Sequence, residues 1–200
     1  MKKTLIALAV AATLQTALAQ EYLSREETLK YAFLVSLDLP QLTGTPLATD
    51  VDVKRAVAMR DGDYGAMVLP EAKLAPEALA KPDHGPVAVG QLWLHHLTPM
   101  RDGWGIPAHE LRLVDVNHNE GTASVVQCTL AVRRASPGQL ELAILGRTKE
   151  ALLSVPLKPL EAKPQSQPIE MAATREASDS GQIILRILGR YEARVPVTEL

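Results

Sequence analysis

The strongest constraint on this chain is a stretch that occurs twice. Gly138–Leu157 reads GQLELAILGRTKEALLSVPL, and Gly181–Val197 reads GQIILRILGRYEARVPV. Each runs Gly-Gln, then Leu/Ile-x-Leu-x-Ile-Leu-Gly-Arg, then Val-Pro followed by Leu or Val, at a spacing of about 43 residues, a scale at which a repeated structural unit is expected. Leu140, Leu142 and Ile144 alternate with Glu141 and Ala143, a strand period of two. Pairing Ile144 with Ala151 sets Leu142 opposite Leu153 and Leu140 opposite Val155. Pairing Ile187 with Tyr191 sets Leu185 opposite Ala193 and Ile183 opposite Val195. These registers match, and the loops Leu145–Glu150 and Leu188–Arg190 absorb the difference in length. A slip of one residue would turn either apolar row to water. Pro156 and Pro196 fall on the outward parity and lack an N–H, which points to an edge or a bulge. Two matching antiparallel hairpins are therefore expected.

The chain opens Met-Lys-Lys, continues through apolar Leu5–Ala12 and reaches Ala17-Leu18-Ala19 before Gln20. A basic start, a short apolar core and an Ala-x-Ala site make a secretory signal peptide over residues 1–19. The apolar run is shorter than the roughly 20 residues that span a bilayer, so no membrane anchor is expected after cleavage. Periplasmic or secreted placement follows. Residues 20–200 then form one β-rich domain, long enough to bury about 70% of its unfolded surface. The net charge of −2 has no basic run or stripe to give a nucleic-acid partner electrostatic support. The lone cysteine, Cys128, shares a strand row with Val126, Leu130 and Val132 and reads as a buried small hydrophobe.

Ser24-Arg25-Glu26-Glu27 has the form of a capping box, which would start a short helix. Tyr31, Phe33, Val35, Leu37 and Leu39 then alternate with Ala32, Leu34, Ser36 and Asp38, so a strand is expected over Tyr31–Leu39. Val51–Leu69 reads as a hairpin about Asp61-Gly62, with Arg60 opposite Asp63 and Met59 opposite Tyr64. The same carboxylates lack the further ligands of a calcium loop. A short helix is expected within Pro70–Pro82, with Pro76 in its first turn. Val87–Leu97 is apolar on both faces and suits a central strand. Thr98–His109, with Pro99, Asp102-Gly103, Gly105 and Pro107, reads as irregular, although Met100–Gly105 echoes Met59–Gly65. Leu111–Val116 and Thr122–Arg134 flank a turn. Pro159–Ser180, rich in Pro, Gln and Ser, reads as a solvated connection. The expected fold is all-β: an antiparallel sandwich or open barrel of about ten short strands, with one or two short helices.

Catalytic signatures are missing. The chain has no Gly-x-Ser-x-Gly, no His-Glu-x-x-His, no Cys-x-x-Cys and no glycine loop for phosphates, and no cofactor is implied. Histidines provide the one suggestive cluster. His95 and His96, adjacent on a strand, would point to opposite faces. A metal site would need one of them with His109 or His118, and these are weak candidates; His84 stands apart. Trp104 and Trp93, with Arg101 nearby, are the candidate contact residues. The expected function is an exported, non-catalytic β-sandwich that binds or scaffolds another exported protein or cell-envelope component. Two alternatives are a small periplasmic hydrolase or metal-dependent enzyme with a site of scattered loop residues, and a carbohydrate-binding module. The last is disfavoured by a chain with only four Tyr, two Trp and one Phe.

Overall fold

The computed structural model describes residues 21–38, 46–80, 85–118, 121–136 and 138–200. Residues 1–20, which include the segment read as a signal peptide, residues 39–45, the end of the Pro70–Pro82 segment and His84 lie outside the described residues. In chain order the strands are β1 Glu21–Tyr22, β2 Val57–Asp61, β3 Tyr64–Pro70, β4 Val87–His95, β5 Leu97–Arg101, β6 Trp104–Gly105 and β7 Arg112–His118. They continue as β8 Gly121–Ser136, β9 Gln139–Leu145, β10 Ala151–Pro156, β11 Lys158–Pro159, β12 Ile169–Arg175, β13 Ser180–Ile187 and β14 Tyr191–Glu199. Helix α1 spans Arg25–Asp38 and α2 spans Pro76–Ala80.

An antiparallel sheet of eight strands runs β1-β2-β3-β4-β8-β9-β10, with β7 also paired to β8. A second sheet of six runs β12-β13-β14-β5-β6, with β11 on β14. The chain is thus an all-β sandwich, as the strand pattern predicts. The core between the sheets takes Leu92 and Leu94 from β4, Val126, Cys128, Leu130 and Val132 from β8, and Ile183, Leu185, Ile187, Val195 and Val197 from the β13–β14 hairpin. The row predicted around Cys128 is the spine of this core. Burial pushes the Cys128 thiol up to about 12, because a thiolate there would lose its hydration. Native protein is accordingly expected to resist a thiol reagent that labels it quickly in denaturant. Fast labelling without denaturant would contradict the burial.

The segment Tyr31–Leu39 is a correction: α1 is a helix through Asp38. Its start is the predicted capping box. Ser24 Oγ accepts from Glu27 N at 3.2 Å, and Ser24 N donates to Glu27 Oε2 at 3.1 Å. Thr28, Ala32 and Val35 share one face of this helix and are buried, while the period-two row over Tyr31, Phe33 and Leu37 is left exposed. The apolar residues fit both periods, and tertiary packing selected the helix. With Ala32 and Val35, α1 covers Ala58, Met67, Trp93, Val114 and Val116 on the outer face of the larger sheet. That sheet is therefore apolar on both sides where α1 lies. The predicted central strand is confirmed, since β4 lies between β3 and β8.

The two similar hairpins both form, one in each sheet, with different registers. In the second, Ile187 faces Tyr191, Leu185 faces Ala193 and Ile183 faces Val195, as predicted. In the first, Leu142 faces Val155 and Ile144 faces Leu153. The expected pairs 142–153 and 140–155 are overturned by a bulge between Ala151 and Leu153. The extra residue, Leu152, turns into the core, as the unpaired residue of a bulge can. The Asp61-Gly62 turn is also displaced. Asp61 pairs with Tyr64 and Met59 with Ala66, so the loop is Gly62-Asp63, with Gly62 at φ +60°. Arg60 consequently faces Gly65 and forms its ion pair with Glu21 at 3.3 Å. Pro76 opens α2 as predicted, while β3 claims Pro70. Finally, Pro159–Ser180 is not wholly a solvated connection. Ile169 and Met171 are buried opposite Ile187 and Leu185 in β12, an alternation too short to stand out in polar surroundings. No helix among the described residues is long and apolar enough to cross a membrane.

Candidate functional site

Chain geometry concentrates the exposed chemistry at the two ends of β5. At its start, β4 closes in one sheet at His95 and β5 opens in the other at Leu97. The residue between them, His96, takes φ +55°, a conformation that costs a non-glycine residue free energy and makes a sharp corner. The corner overturns the expectation that His95 and His96 point apart. Their rings stack with centroids 3.9 Å apart. His95 Nδ1 lies 3.2 Å from the Asp63 carbonyl oxygen. Burial, then His96 and His118, holds the His95 ring below its ordinary range. A lowered histidine favours the neutral form when folded, so its contribution to stability is lost as pH falls through the ordinary histidine range.

Beside this corner the sheets part to leave a cleft. Its inner part, about 80 Å³, is lined by Met59, Ala66, Leu97, Ile183 and Val197. Its outer part, about 320 Å³, is lined by Asp61, Asp63, Tyr64, His96, Arg175 and Glu199. Arg175 spans the gap between sheets and meets Asp61 at 2.9 Å. Tyr22 ties the same flank, donating its hydroxyl to the Met171 carbonyl at 2.8 Å. Burial first, and then Glu199, raises the Tyr64 phenol above its ordinary range.

The other end of β5 is the segment read as irregular from its prolines. It is a tight hairpin, with Arg101 opposite Trp104 and Met100 opposite Gly105. Asp102 and Gly103 take φ +55° and +83°, the two positive values that a type I′ turn requires. The echo of Met59–Gly65 thus marked a hairpin. Pro99 fits because its carbonyl, not its missing N–H, serves the ladder: it accepts from Ile106 N at 2.9 Å. Gly105 lies close over Thr98 and Thr198, where a Cβ would meet both methyl groups at 3.0 Å. Arg101 Nη2 holds both Glu110 carboxylate oxygens at 3.0 and 3.1 Å, and Nη1 donates to the Leu152 carbonyl at 3.2 Å. The Arg101 hydrogen bond to Glu110 holds that carboxyl below its ordinary range. On this braced hairpin Trp104 is 79% exposed.

Trp93 is corrected as a contact residue. It is 3% exposed under α1, and its indole N–H donates to Gln91 Oε1 at 3.1 Å. Trp104 and Arg101 are neighbours, as the sequence suggested. His95 stands with His96 and within electrostatic reach of His118, while His109 acts on Glu110 at the opposite end of β5. No group of three His, Cys, Asp or Glu residues among the described residues is arranged to hold a metal ion. The cleft was not foreseen, since its lining comes from six strands, β2, β3, β5, β12, β13 and β14. Comparison with known proteins finds no match for this chain among family models, curated proteins or solved structures.

Proposed function

We propose that the protein is an exported binding or scaffolding protein whose contact with another exported protein is made by the β5–β6 hairpin, with Trp104 as the anchor. The single observation that carries this reading is an exposed indole on a braced turn. Tryptophan is strongly enriched among the residues that dominate protein interfaces, and a rigid mount lowers the ordering cost of binding. Arg101 supplies the brace, sharing Nη2 between both Glu110 oxygens and donating Nη1 to the Leu152 carbonyl. Placement outside the cytoplasm rests on the leader-like residues 1–19. A sugar surface of the cell envelope is the second reading, because one exposed indole can stack on a sugar ring.

Fluorescence separates the two. In a Trp93→Phe variant, Trp104 is the only indole. An exported protein partner is expected to shift its emission to shorter wavelength as water is excluded. A shift produced by envelope oligosaccharides alone would instead support the sugar reading. Emission that responds to neither would remove Trp104 from the function.

A further inference from the structure

The geometry points to the end cleft as a second binding site, for a small organic cation: a primary ammonium carried on a short aliphatic chain. The site is independent of the Trp104 hairpin, and three features lead to it. The first is its graded polarity. The inner part exposes a mainly apolar surface that includes Met59, Ala66, Leu97, Ile183 and Val197, with Arg60, Asp61, Arg175 and Asp179 also on its border. A single water needs about 10–15 Å³ of such room, so about 80 Å³ accommodates several carbon atoms. Apolar walls with a few polar groups at the mouth are the usual form of a small-molecule site.

The second feature is charge. Around the inner and outer parts stand four carboxylates, Asp61, Asp63, Asp179 and Glu199, against two guanidiniums, Arg60 and Arg175, a formal excess of two negative charges. Both guanidiniums are already engaged, Arg175 with Asp61 at 2.9 Å and Arg60 with Glu21 at 3.3 Å. An anionic head group would therefore meet net repulsion, and a cation net attraction, focused by the low-dielectric walls.

The third feature is the spread of that charge. The carboxylates do not converge on a point, and no set of three metal-ligating side chains among the described residues is arranged for an ion. A diffuse negative mouth suits an ammonium group, which keeps part of its hydration and needs no fixed coordination geometry. Tyr64, which lines both parts, adds an aromatic ring where a cation would sit. The occupant thus places its alkyl chain between the sheets and its ammonium among Asp63, Glu199 and Tyr64.

The test is a titration of the full chain, labelled for NMR, with n-hexylammonium, hexanoate and hexanol. Saturable shifts centred on Tyr64 and Ile183 are expected with hexylammonium, with hexanol weaker and hexanoate weakest. Asp63→Asn combined with Glu199→Gln should weaken hexylammonium by about tenfold or more, the size of effect that 1.4 kcal/mol produces, with the fold unchanged by its amide spectrum. Trp104→Ala should leave the titration unaltered, so failure here and failure of the hairpin reading are distinguishable. Equal binding of hexanoate, shifts that do not saturate, or indifference to the double substitution would each overturn the assignment.

Discussion

Replacing Gly90 with alanine destabilises the protein by about 3 kcal/mol or more, combining a strained backbone with an overpacked one. Gly90 takes φ +154°, and a Cβ there would overlap the Leu69 carbonyl oxygen and approach Pro70 Cα to 3.0 Å. These are backbone atoms of β3, paired to β4 along its length, so they cannot swing aside. The position also matters to the architecture. A register shift between Ala88 and Gly90 lets Val89 face the same core as Leu92 and Leu94, although their parities differ. Urea unfolding checks the effect. Gly62→Ala is the control, because its Cβ would meet nothing within 4 Å despite φ +60°; its cost is expected near 1 kcal/mol. Equal losses at the two glycines would contradict the steric account.

Trp104→Ala is expected to lower affinity for the proposed exported protein partner by about 2 kcal/mol, roughly 30-fold, the scale of an interface hot spot. The same substitution leaves the unfolding midpoint almost unmoved, because the side chain is 79% exposed and outside the core. Arg101→Ala gives a different signature. It removes the ion pair to Glu110 and the hydrogen bond to Leu152, so the hairpin loosens while Trp104 remains. Affinity then falls through the ordering cost, and the loss is smaller than for Trp104→Ala. A Trp104→Ala protein that binds as tightly as the parent would refute the role assigned to the hairpin.

Much of the sandwich was legible because strand periodicity survives where one face is buried and the other is wet. The β13–β14 register follows from Ile183, Leu185 and Ile187 opposite Val195, Ala193 and Tyr191. The same reasoning missed the β9–β10 register because a bulge leaves no mark in composition: Leu152 and Leu153 are equally apolar, and packing decides which turns inward. It missed α1 because Tyr31, Phe33 and Leu37 are apolar yet exposed, so the alternation they formed carried no burial. It read Thr98–His109 as irregular by weighting Pro99 and Pro107 above Asp102-Gly103, although a proline whose N–H is not needed does no harm to a ladder. Trp104 and Arg101 were visible as neighbours in sequence. The His95–His96 stack was not, because adjacent residues share a side only when the strand breaks, and the break at His96 comes from a switch between sheets.

The central claim is that the hairpin tip carries the contact. It is tested most directly by a photo-crosslinking residue at position 104, with identical residues at exposed position 33 on α1 and exposed position 194 on β14 as controls. The account predicts a discrete adduct with one exported protein from position 104, and none from the controls. Adducts of equal yield from all three positions, or none from 104 while either control crosslinks, would contradict it.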